Sequence, residues 1–188
     1  MRPKSTPRVR TLLLVRHCQA ASQHPDAPLT DVGFGQAQRL AEFLRDYPID
    51  FVAASRYRRA RQTIEPYAGS VGLPVYQERR LNERVLSTAP IPDWEQLVRD
   101  SFDNADLCAP GGESAAGVLR RARAALDDIL VRDHRLPLVV THGNVMALLL
   151  HSVDGTFGYS GWKSLTNPDV YMLREGSDGR RSFERVWP

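Results

Sequence analysis

The sequence predicts an α/β fold, a three-layer sandwich in which a mostly parallel central sheet is flanked by helices. Short apolar runs without helical spacing alternate along the chain with segments whose apolar residues recur at helical spacing. The 188 residues are 42% hydrophobic and 25% charged, which is the usual balance of a globular domain that buries one core. We therefore expect a flexible basic tail over residues 1–10 and a single domain over residues 11–188.

The first predicted strand is followed by the first predicted helix. Residues 11–15 are apolar without helical spacing, which predicts a buried strand that ends abruptly at Arg16-His17. After a polar loop, Thr30 is a suitable N-cap for a helix that ends before Pro48. The apolar face of this helix is formed by Ala37, Leu40, Ala41 and Leu44.

A second strand and helix follow, and then a third strand. The apolar run Phe51–Ala54 predicts a strand, and residues 58–68 predict a helix. A Gly-Leu-Pro turn then leads into a short strand around Val75. This alternation of strands and helices favours parallel pairing of the strands.

The segment from residue 81 to residue 112 is irregular in sequence. Five prolines and glycines follow Ala89, and we expect a surface segment with one short helix near Trp94. A long excursion of this kind within a compact domain is usually functional.

The remaining chain completes the predicted sheet. A long amphipathic helix spans residues 118–130, a strand follows over residues 138–141, and an apolar helix begins at Asn144. Residues 169–173 and 182–186 are expected to form a hairpin.

Two of the predicted strands end on histidine. Arg16-His17 follows the first strand, and His142-Gly143 follows the strand over residues 138–141. In parallel sheets covered by helices, ligands bind outside the carboxyl ends of the strands. We therefore expect both histidines on one rim of the sheet, at a binding site.

Charge and hydropathy exclude several classes of protein. The longest apolar stretch has six residues, 145–150, whereas a membrane-spanning helix needs about 20. Arg16 interrupts the apolar run behind the basic N-terminus, so we do not expect a secretory signal. The net charge of +3 and the lack of basic runs interleaved with aromatic residues argue against nucleic-acid binding.

Cysteine and arginine usage adds two expectations. The two cysteines, Cys18 and Cys108, form neither a metal-ligand pattern nor a disulfide framework, which is typical of the cytoplasm. They would still allow one disulfide. Of the 25 basic residues 23 are arginine, the side chain that binds phosphate bidentately.

Six short blocks along the chain carry residues suited to phosphate chemistry. They are Leu-Leu-Val-Arg16-His17, Leu29-Thr30-Asp-Val-Gly33, Arg59-Ala60-Arg61-Gln62-Thr63, Leu81-Asn82-Glu83-Arg84, Pro110-Gly-Gly-Glu113-Ser114 and Val-Thr-His142-Gly143. In this order they resemble the histidine phosphatase superfamily, which includes the cofactor-dependent phosphoglycerate mutases, from Leu12 to about His151.

The resemblance implies a phosphoglycerate mutase-like fold and a catalytic role for each block. It implies that His17 attacks phosphorus and forms a phosphohistidine. Four further residues then complete the pocket: Arg16, Arg59, Glu83 and His142. The implied enzyme is a histidine acid-type phosphatase, a metal-independent hydrolase that acts on a phosphorylated small molecule without a cofactor.

Elementary chemistry supports these roles. A transferring phosphoryl group carries charge on its equatorial oxygens, so it needs fixed cationic donors, which Arg16, Arg59 and His142 can supply. Nearby cations disfavour protonation of His17 and so keep it a neutral nucleophile. Glu83 can protonate the leaving oxygen and then accept a proton from the water that hydrolyses the phosphohistidine.

Further residues add to these roles or compete for them. Gly143 begins a helix whose free amides can bind an anion, and Gln23 is a candidate substrate contact. Thr30 is another, although it also suits the N-cap position. The rivals are Arg58 and Arg61 for the role of Arg59, and Glu78 and Glu113 for the role of Glu83. Three further histidines lie outside any motif and are expected at the surface or in the core: His24, His134 and His151.

Three positions depart from the family pattern and bear on substrate contacts. Cys18 replaces a common glycine, Ala20 a small hydroxyl residue, and Gln23 an asparagine. Glu83 and His142 are separated by 59 positions, fewer than in the mutases, and a shortened lid favours hydrolysis. A phosphatase is therefore the leading interpretation, with a phosphoglycerate mutase or a catalytically silent phospholigand-binding protein as alternatives.

Overall fold

Six strands form one mixed sheet in the computed structural model, which describes residues 9–188. The strands are β1 (Arg10–Arg16), β2 (Phe51–Ala54), β3 (Val75–Gln77), β4 (Pro137–Thr141), β5 (Asp169–Glu175) and β6 (Arg181–Arg185). Most of the expected basic tail, residues 1–8, lies outside the described residues. The first strand begins at Arg10, one position earlier than predicted.

Within residues 9–188, six helices connect the strands. They are α1 (Asp31–Leu44), α2 (Arg58–Val71), α3 (Trp94–Asp103), α4 (Ala115–Leu130), α5 (Gly143–His151) and α6 (Tyr159–Ser164), with a 3₁₀ turn over Arg79–Leu81. Across residues 9–188, no helix combines the length and the apolar character needed to cross a membrane.

The strand order is β3-β2-β4-β1-β5-β6. The first four strands in this order pair in parallel, and β5 and β6 form an antiparallel hairpin at one edge. Leu14 of β1 lies opposite Val139 of β4, and Ala53 of β2 lies opposite the same residue from the other side. The predicted α/β fold with a mostly parallel sheet is confirmed.

Helices cover both faces of the sheet because successive residues of each strand point to opposite faces. On one face, Leu12 and Leu14 pack with residues of α4 and α5. On the other face, Leu13 and Val15 pack with residues of α1 and α2. All four side chains are completely buried, so truncation of Leu14 to alanine should cost about 2–5 kcal/mol of unfolding free energy.

Local sequence signals fix the ends of the helices. Thr30 Oγ1 accepts a hydrogen bond from Gly33 N at the start of α1, and Ser114 caps α4 in the same way. Gly72 ends α2 with φ of 70°, a left-handed conformation that glycine adopts without steric cost.

The 3₁₀ turn and α6 are the elements that the sequence pattern did not predict. The six residues of α6 include no buried side chain, so this helix has no apolar periodicity to detect. The short helix expected near Trp94 is present as α3, within the irregular segment.

Candidate active site

The ends of β1, β2 and β4 meet at one rim of the sheet. His17 N donates to Thr141 O at 3.0 Å, and Ser55 N donates to Val140 O at 2.9 Å, so the ladder continues one residue past each strand. These bonds bring His17 and His142 together, with ring centroids 5.0 Å apart. The sheet itself therefore positions both histidines.

His17 is buried, and its hydrogen bonds identify its tautomer. Arg59 Nε donates to His17 Nε2 at 3.2 Å, and because an arginine N–H can only donate, Nε2 carries the lone pair. His17 Nδ1 then carries the proton and donates to Cys18 O at 2.6 Å. Asn167 Nδ2 donates to His17 O at 2.6 Å and holds the backbone of this residue.

The surroundings of His17 keep its ring neutral. Burial lowers the pKa of His17 to about 3, and the charges of Arg59 and Arg16 act in the same direction. The hydrogen bond to Cys18 O opposes this shift but does not reverse it. A neutral ring with a lone pair on Nε2 is the form of histidine that acts as a nucleophile.

Arg59, in the first turn of α2, is completely buried beneath His17. Its Nη1 donates to the carbonyls of Gln23 and His24, at 3.2 and 3.0 Å. Burial lowers the pKa of Arg59, and the nearby charge of Glu83 opposes this. Among the three arginines that could fill this role, Arg59 is the one that the structure brings into contact with His17, rather than Arg58 or Arg61.

Arg16, the last residue of β1, lies against the start of α5. Its Nη1 donates to Leu165 O at 2.7 Å. A Cβ atom added at Gly143 would lie 3.3 Å from the guanidinium, so a side chain there would crowd Arg16. Burial lowers the pKa of Arg16, while the charges of Glu83 and Asp169 partly compensate.

A chain of hydrogen bonds fixes the orientation of His142. Asn82 Oδ1 accepts from Arg56 N at 3.0 Å, which identifies this atom as the amide oxygen. Ser55 Oγ, at 3.0 Å from the same oxygen, must therefore donate to it. The serine hydroxyl can then only accept from His142 Nε2, at 2.7 Å, so Nε2 carries a proton.

The surroundings of His142 determine its charge. Burial, and then the neighbouring His17 and Arg59, lower the pKa of His142 well below its usual value. His142 is therefore neutral, with its lone pair on Nδ1, rather than the cationic donor expected from the sequence. This completely buried Nδ1 has no hydrogen-bond partner within the described part of the chain.

Glu83 lies at the N-terminus of α5, above the histidines. Its Oε2 accepts from Asn144 N at 3.2 Å, and its Oε1 accepts from Val145 N at 3.3 Å. The sequence predicted that the first amides of this helix would bind phosphate, but two of them bind Glu83. The helix therefore orients the candidate acid.

The two rival acids are engaged in other interactions. Glu113 forms a two-pronged ion pair with Arg121, with N–O distances of 2.8 and 2.9 Å, and accepts from Val85 N at 3.1 Å. Although burial acts to raise the pKa of Glu113, these bonds hold it below its usual value. Hydrogen bonds from Arg80 likewise lower the pKa of Glu78.

Arg121 also holds the segment that carries Glu83. Its Nη1 donates to Arg80 O at 2.7 Å and to Asn82 O at 2.8 Å. Sequence reasoning assigned no role to Arg121, Asn82, Ser55 or Asn167. The position of Ser55 directly after a parallel strand could have identified it, because such positions meet at the rim.

A cleft of about 780 Å³ opens above these groups. Arg16, His17, Glu83 and Gly143 line it, as does Gln23. Arg59 and His142 lie below its surface. Thr30 does not line the cleft: it caps α1 and donates to Gln19 Oε1 at 2.9 Å, so its substrate-binding role finds no support.

Two of the three departures from the family pattern point away from the cleft. Cys18 is completely buried against Leu29 and Ala37, and burial raises the pKa of its thiol to about 12. Ala20 forms an isolated bridge with Leu29 and does not line the cleft. Of the three positions, Gln23 alone reaches the cleft surface.

Comparison with known proteins places these observations in a family. Residues 12–185 match the family model described as "Histidine phosphatase superfamily (branch 1)". The "Probable phosphoglycerate mutase GpmB" of Yersinia enterocolitica is 37% identical over 139 residues, which cover 69% of this chain. The alignment covers 65% of that relative, just under two thirds of its length.

Solved structures share the architecture over nearly the whole chain. YhfR of Bacillus stearothermophilus superposes with a TM-score of 0.74 at 28% identity, covering 94% of this chain and 95% of that one. A mycobacterial glucosyl-3-phosphoglycerate phosphatase in complex with inorganic phosphate gives a TM-score of 0.74 at 25% identity, covering 95% and 96%. Proteins named as mutases and as phosphatases thus both resemble this chain.

Proposed function

This chain belongs to the histidine phosphatase superfamily, and on that basis we propose that it hydrolyses phosphomonoesters through a phosphohistidine on His17. The observation that carries the proposal is a set of buried polar atoms around His17. In the described part of the chain, Arg16 Nε, Arg59 Nη2 and His142 Nδ1 have no partner. A buried polar group without a partner costs about 1–3 kcal/mol, and phosphoryl oxygens would accept hydrogen bonds from the two arginine nitrogens.

When a substrate binds, its phosphoryl group lies beside His17. Its oxygens face Arg16 and Arg59, whose positive charges compensate the charge of the transferring group. Arg59 Nε then donates to an oxygen instead of to His17 Nε2, which frees the lone pair of this nitrogen for attack. The proton on Nδ1 stays bonded to Cys18 O and keeps the ring in place.

The chemistry proceeds in two steps. His17 Nε2 forms a bond to phosphorus while the bond to the ester oxygen breaks, and Glu83 protonates the leaving oxygen. Water then attacks phosphorus, Glu83 takes its proton, and the N–P bond breaks to return the lone pair to Nε2. Glu83 is suited to both transfers because the amides of Asn144 and Val145 hold its carboxyl group at the cleft.

His142 takes part by gaining a proton. Its Nε2 proton is committed to Ser55, so Nδ1 can donate to a phosphoryl oxygen only when His142 is protonated at both nitrogens. The negative charge of the phosphoryl group counteracts the burial that lowers the pKa of His142 in the free protein. Phosphate binding is thus accompanied by uptake of one proton.

A phosphoglycerate mutase is the second candidate, and the similarity to GpmB favours it. The short spacing between Glu83 and His142 favours hydrolysis instead. We propose the cytoplasm as the compartment, because Cys18 and Cys108 are both free thiols. We also propose that catalysis needs no metal ion, because Arg16 and Arg59 already supply positive charge at the phosphoryl site.

Rapid quenching tests the nucleophile. During turnover of a labelled phosphomonoester in excess chelator, the wild-type protein should carry an acid-labile, base-stable phosphoryl group, and His17→Ala should carry none. His134→Ala, a histidine on the far side of the core that stacks on Phe51, is the matched control. Label on the His17→Ala protein, an acid-stable phosphoester, or activity restored by a divalent ion would contradict the proposal.

The same assay separates a phosphatase from a mutase. A phosphatase releases inorganic phosphate from phosphomonoesters such as aryl phosphates, whereas a mutase converts 3-phosphoglycerate to 2-phosphoglycerate without releasing phosphate. Binding of phosphomonoesters without either product would identify a catalytically silent protein.

A further inference from the structure

Beyond the phosphoryl site, the wall of the cleft is apolar and aromatic. The segment after Glu83 contributes Val85, Leu86 and Ile91, and two helices contribute Trp94 and Trp162. Val85 is 40% exposed and Trp94 is 44% exposed, although both are large apolar side chains. Exposed apolar side chains grouped at a cleft are typical of a surface that binds an apolar ligand.

Ion pairs and hydrogen bonds hold the two tryptophans in place. The rings of Trp94 and Trp162 meet edge to face, with centroids 6.2 Å apart. Glu95, next to Trp94, accepts hydrogen bonds from Tyr159 Oη and from Lys163 Nζ, both on α6. The first turn of α3 is thereby tied to α6, so the aromatic surface is formed before a ligand arrives.

The cations at or beside the wall are already paired with other groups. Lys163 Nζ lies 5.8 Å from the centre of the Trp162 ring, but it is paired with Glu95 Oε1 at 2.9 Å. Arg84 is the cationic residue of the wall, but it is 95% buried and donates to Glu113 O, Ser101 Oγ and Leu107 O. Arg16 belongs to the phosphoryl site. Among the described residues that line the cleft, none leaves a cationic side chain available to a carboxylate.

We propose that this wall is a leaving-group subsite for phosphomonoesters of flat, apolar alcohols that carry no second negative charge. The proposal rests on the phosphatase function proposed above, and it names the class of substrate. The leaving alcohol lies against Trp94 and Trp162, while its phosphoryl group reaches His17. Phosphoglycerate, whose carboxylate would lie unpaired against this wall, is a poor substrate.

Three aryl phosphates with phenols of similar acidity test the subsite: phenyl, 1-naphthyl and 3-carboxyphenyl phosphate. Because a second buried ring removes additional apolar surface from water, 1-naphthyl phosphate should have a kcat/KM about tenfold above that of phenyl phosphate. The carboxylate of 3-carboxyphenyl phosphate should lower kcat/KM at least about tenfold below that of phenyl phosphate. Equal values for the three esters would overturn the proposal.

Two variants locate the effect. Trp94→Ala, at an exposed helix start, should remove most of the naphthyl preference and leave kcat/KM for phenyl phosphate within about threefold, because the phosphoryl site is untouched. Trp162→Leu should reduce the preference less, because leucine keeps part of the apolar surface. Phe34→Ala removes an aromatic ring that is 45% exposed outside the cleft, and should keep the full preference.

Failure of the subsite and failure of the phosphatase function give different results. If Trp94→Ala keeps the naphthyl preference while phosphate is released, the subsite is wrong and the phosphatase function stands. If no ester releases phosphate, the phosphatase function is wrong, and calorimetry with unreactive phosphonates then tests the subsite. Binding of 1-naphthylphosphonate about tenfold tighter than phenylphosphonate supports it, and equal Kd values overturn it.

Discussion

The rim of the sheet and the segment over residues 82–94 both line the cleft, but they are held in different ways. On the rim, backbone bonds of the sheet set the positions of His17 and Ser55. The segment is held by a backbone bond from Glu113 N to Val85 O at 2.7 Å, and also by side chains. Arg121 donates to the carbonyls of Arg80 and Asn82, and Arg84 donates to those of Glu113 and Leu107. The first arrangement depends on the backbone of the sheet, and the second depends on particular side chains as well.

This difference suits the two regions to different roles in the site. A parallel sheet fixes its strand ends closely, which suits groups that contact the phosphoryl part shared by all substrates. A segment held partly by side chains can change with few substitutions, which suits contacts to the variable leaving group. Glu83 links the two, because it lies on the segment but is oriented by the first amides of α5.

Removal of Arg59 should give the largest loss of activity, and the loss should be the same for all classes of substrate. Arg59→Ala removes a donor to the phosphoryl oxygens, so kcat/KM should fall about 10²- to 10³-fold for alkyl and aryl phosphates alike. Steady-state kinetics on both classes measures this, with Arg58→Ala, one position away, as the matched control. A loss confined to one substrate class would contradict the assignment of the rim to the phosphoryl group, because Arg59 would then recognise the leaving group.

The sequence predicted the rim better than the segment, for a physical reason. Apolar runs identify β1 and β4, and parallel pairing then places His17 beside His142 without further information. The tautomer of His142 could not be predicted this way. It depends on an amide oxygen of Asn82 that reaches Ser55 from a distant part of the chain.

An element outside the sheet could be predicted from the sequence only where it buries an apolar face. The buried face of α1 made that helix detectable, whereas α6 buries no side chain and left no pattern. The role of Thr30 was ambiguous because one hydroxyl suits both a cap and a ligand contact, and only the geometry at Gly33 decides. The ties that hold the wall, such as Glu95 to Lys163, join residues far apart in sequence without periodic spacing.

Glu83 gives a smaller and selective effect if it is the general acid. Glu83→Gln should slow alkyl phosphates, whose leaving groups need a proton, by about 10²-fold or more. An aryl phosphate with an acidic phenol should be slowed much less, because its leaving oxygen departs as an anion. The measurement is kcat/KM for both classes at one pH, with Glu78→Gln, a carboxyl group paired to Arg80, as the control.

The outcome for Glu83 sharpens the comparison by contrast with Arg59. A selective loss assigns Glu83 to the leaving-group side of the reaction, although α5 holds it over the rim. Equal losses for both substrate classes would show that Glu83 acts on the phosphoryl group or on the structure. Another group would then have to be the acid. Glu113 is a poor candidate, because its carboxylate is paired with Arg121.

The smallest effect concerns Ser55, whose bond to Asn82 joins the rim to the segment. We propose that anion binding to the wild-type protein requires His142 to gain a proton, so that the pKa of His142 rises from its lowered value in the free protein. Affinity for an anion should therefore fall as pH rises between these two pKa values. Sulfate is the suitable probe because its charge stays constant over this range.

Ser55→Ala removes the acceptor that holds the proton on His142 Nε2. A neutral His142 can then carry its proton on Nδ1 and donate it to the anion without gaining another. Calorimetric Kd values for sulfate should thus depend less on pH in Ser55→Ala than in wild type, and fewer protons should be taken up on binding.

The loss in kcat/KM should be about tenfold or less, as for one buried hydrogen bond. Ser70→Ala, on the surface of α2, should keep the wild-type pH dependence. An unchanged pH dependence in Ser55→Ala would show that His142 binds the anion in one protonation state throughout, and that the rim works independently of the segment.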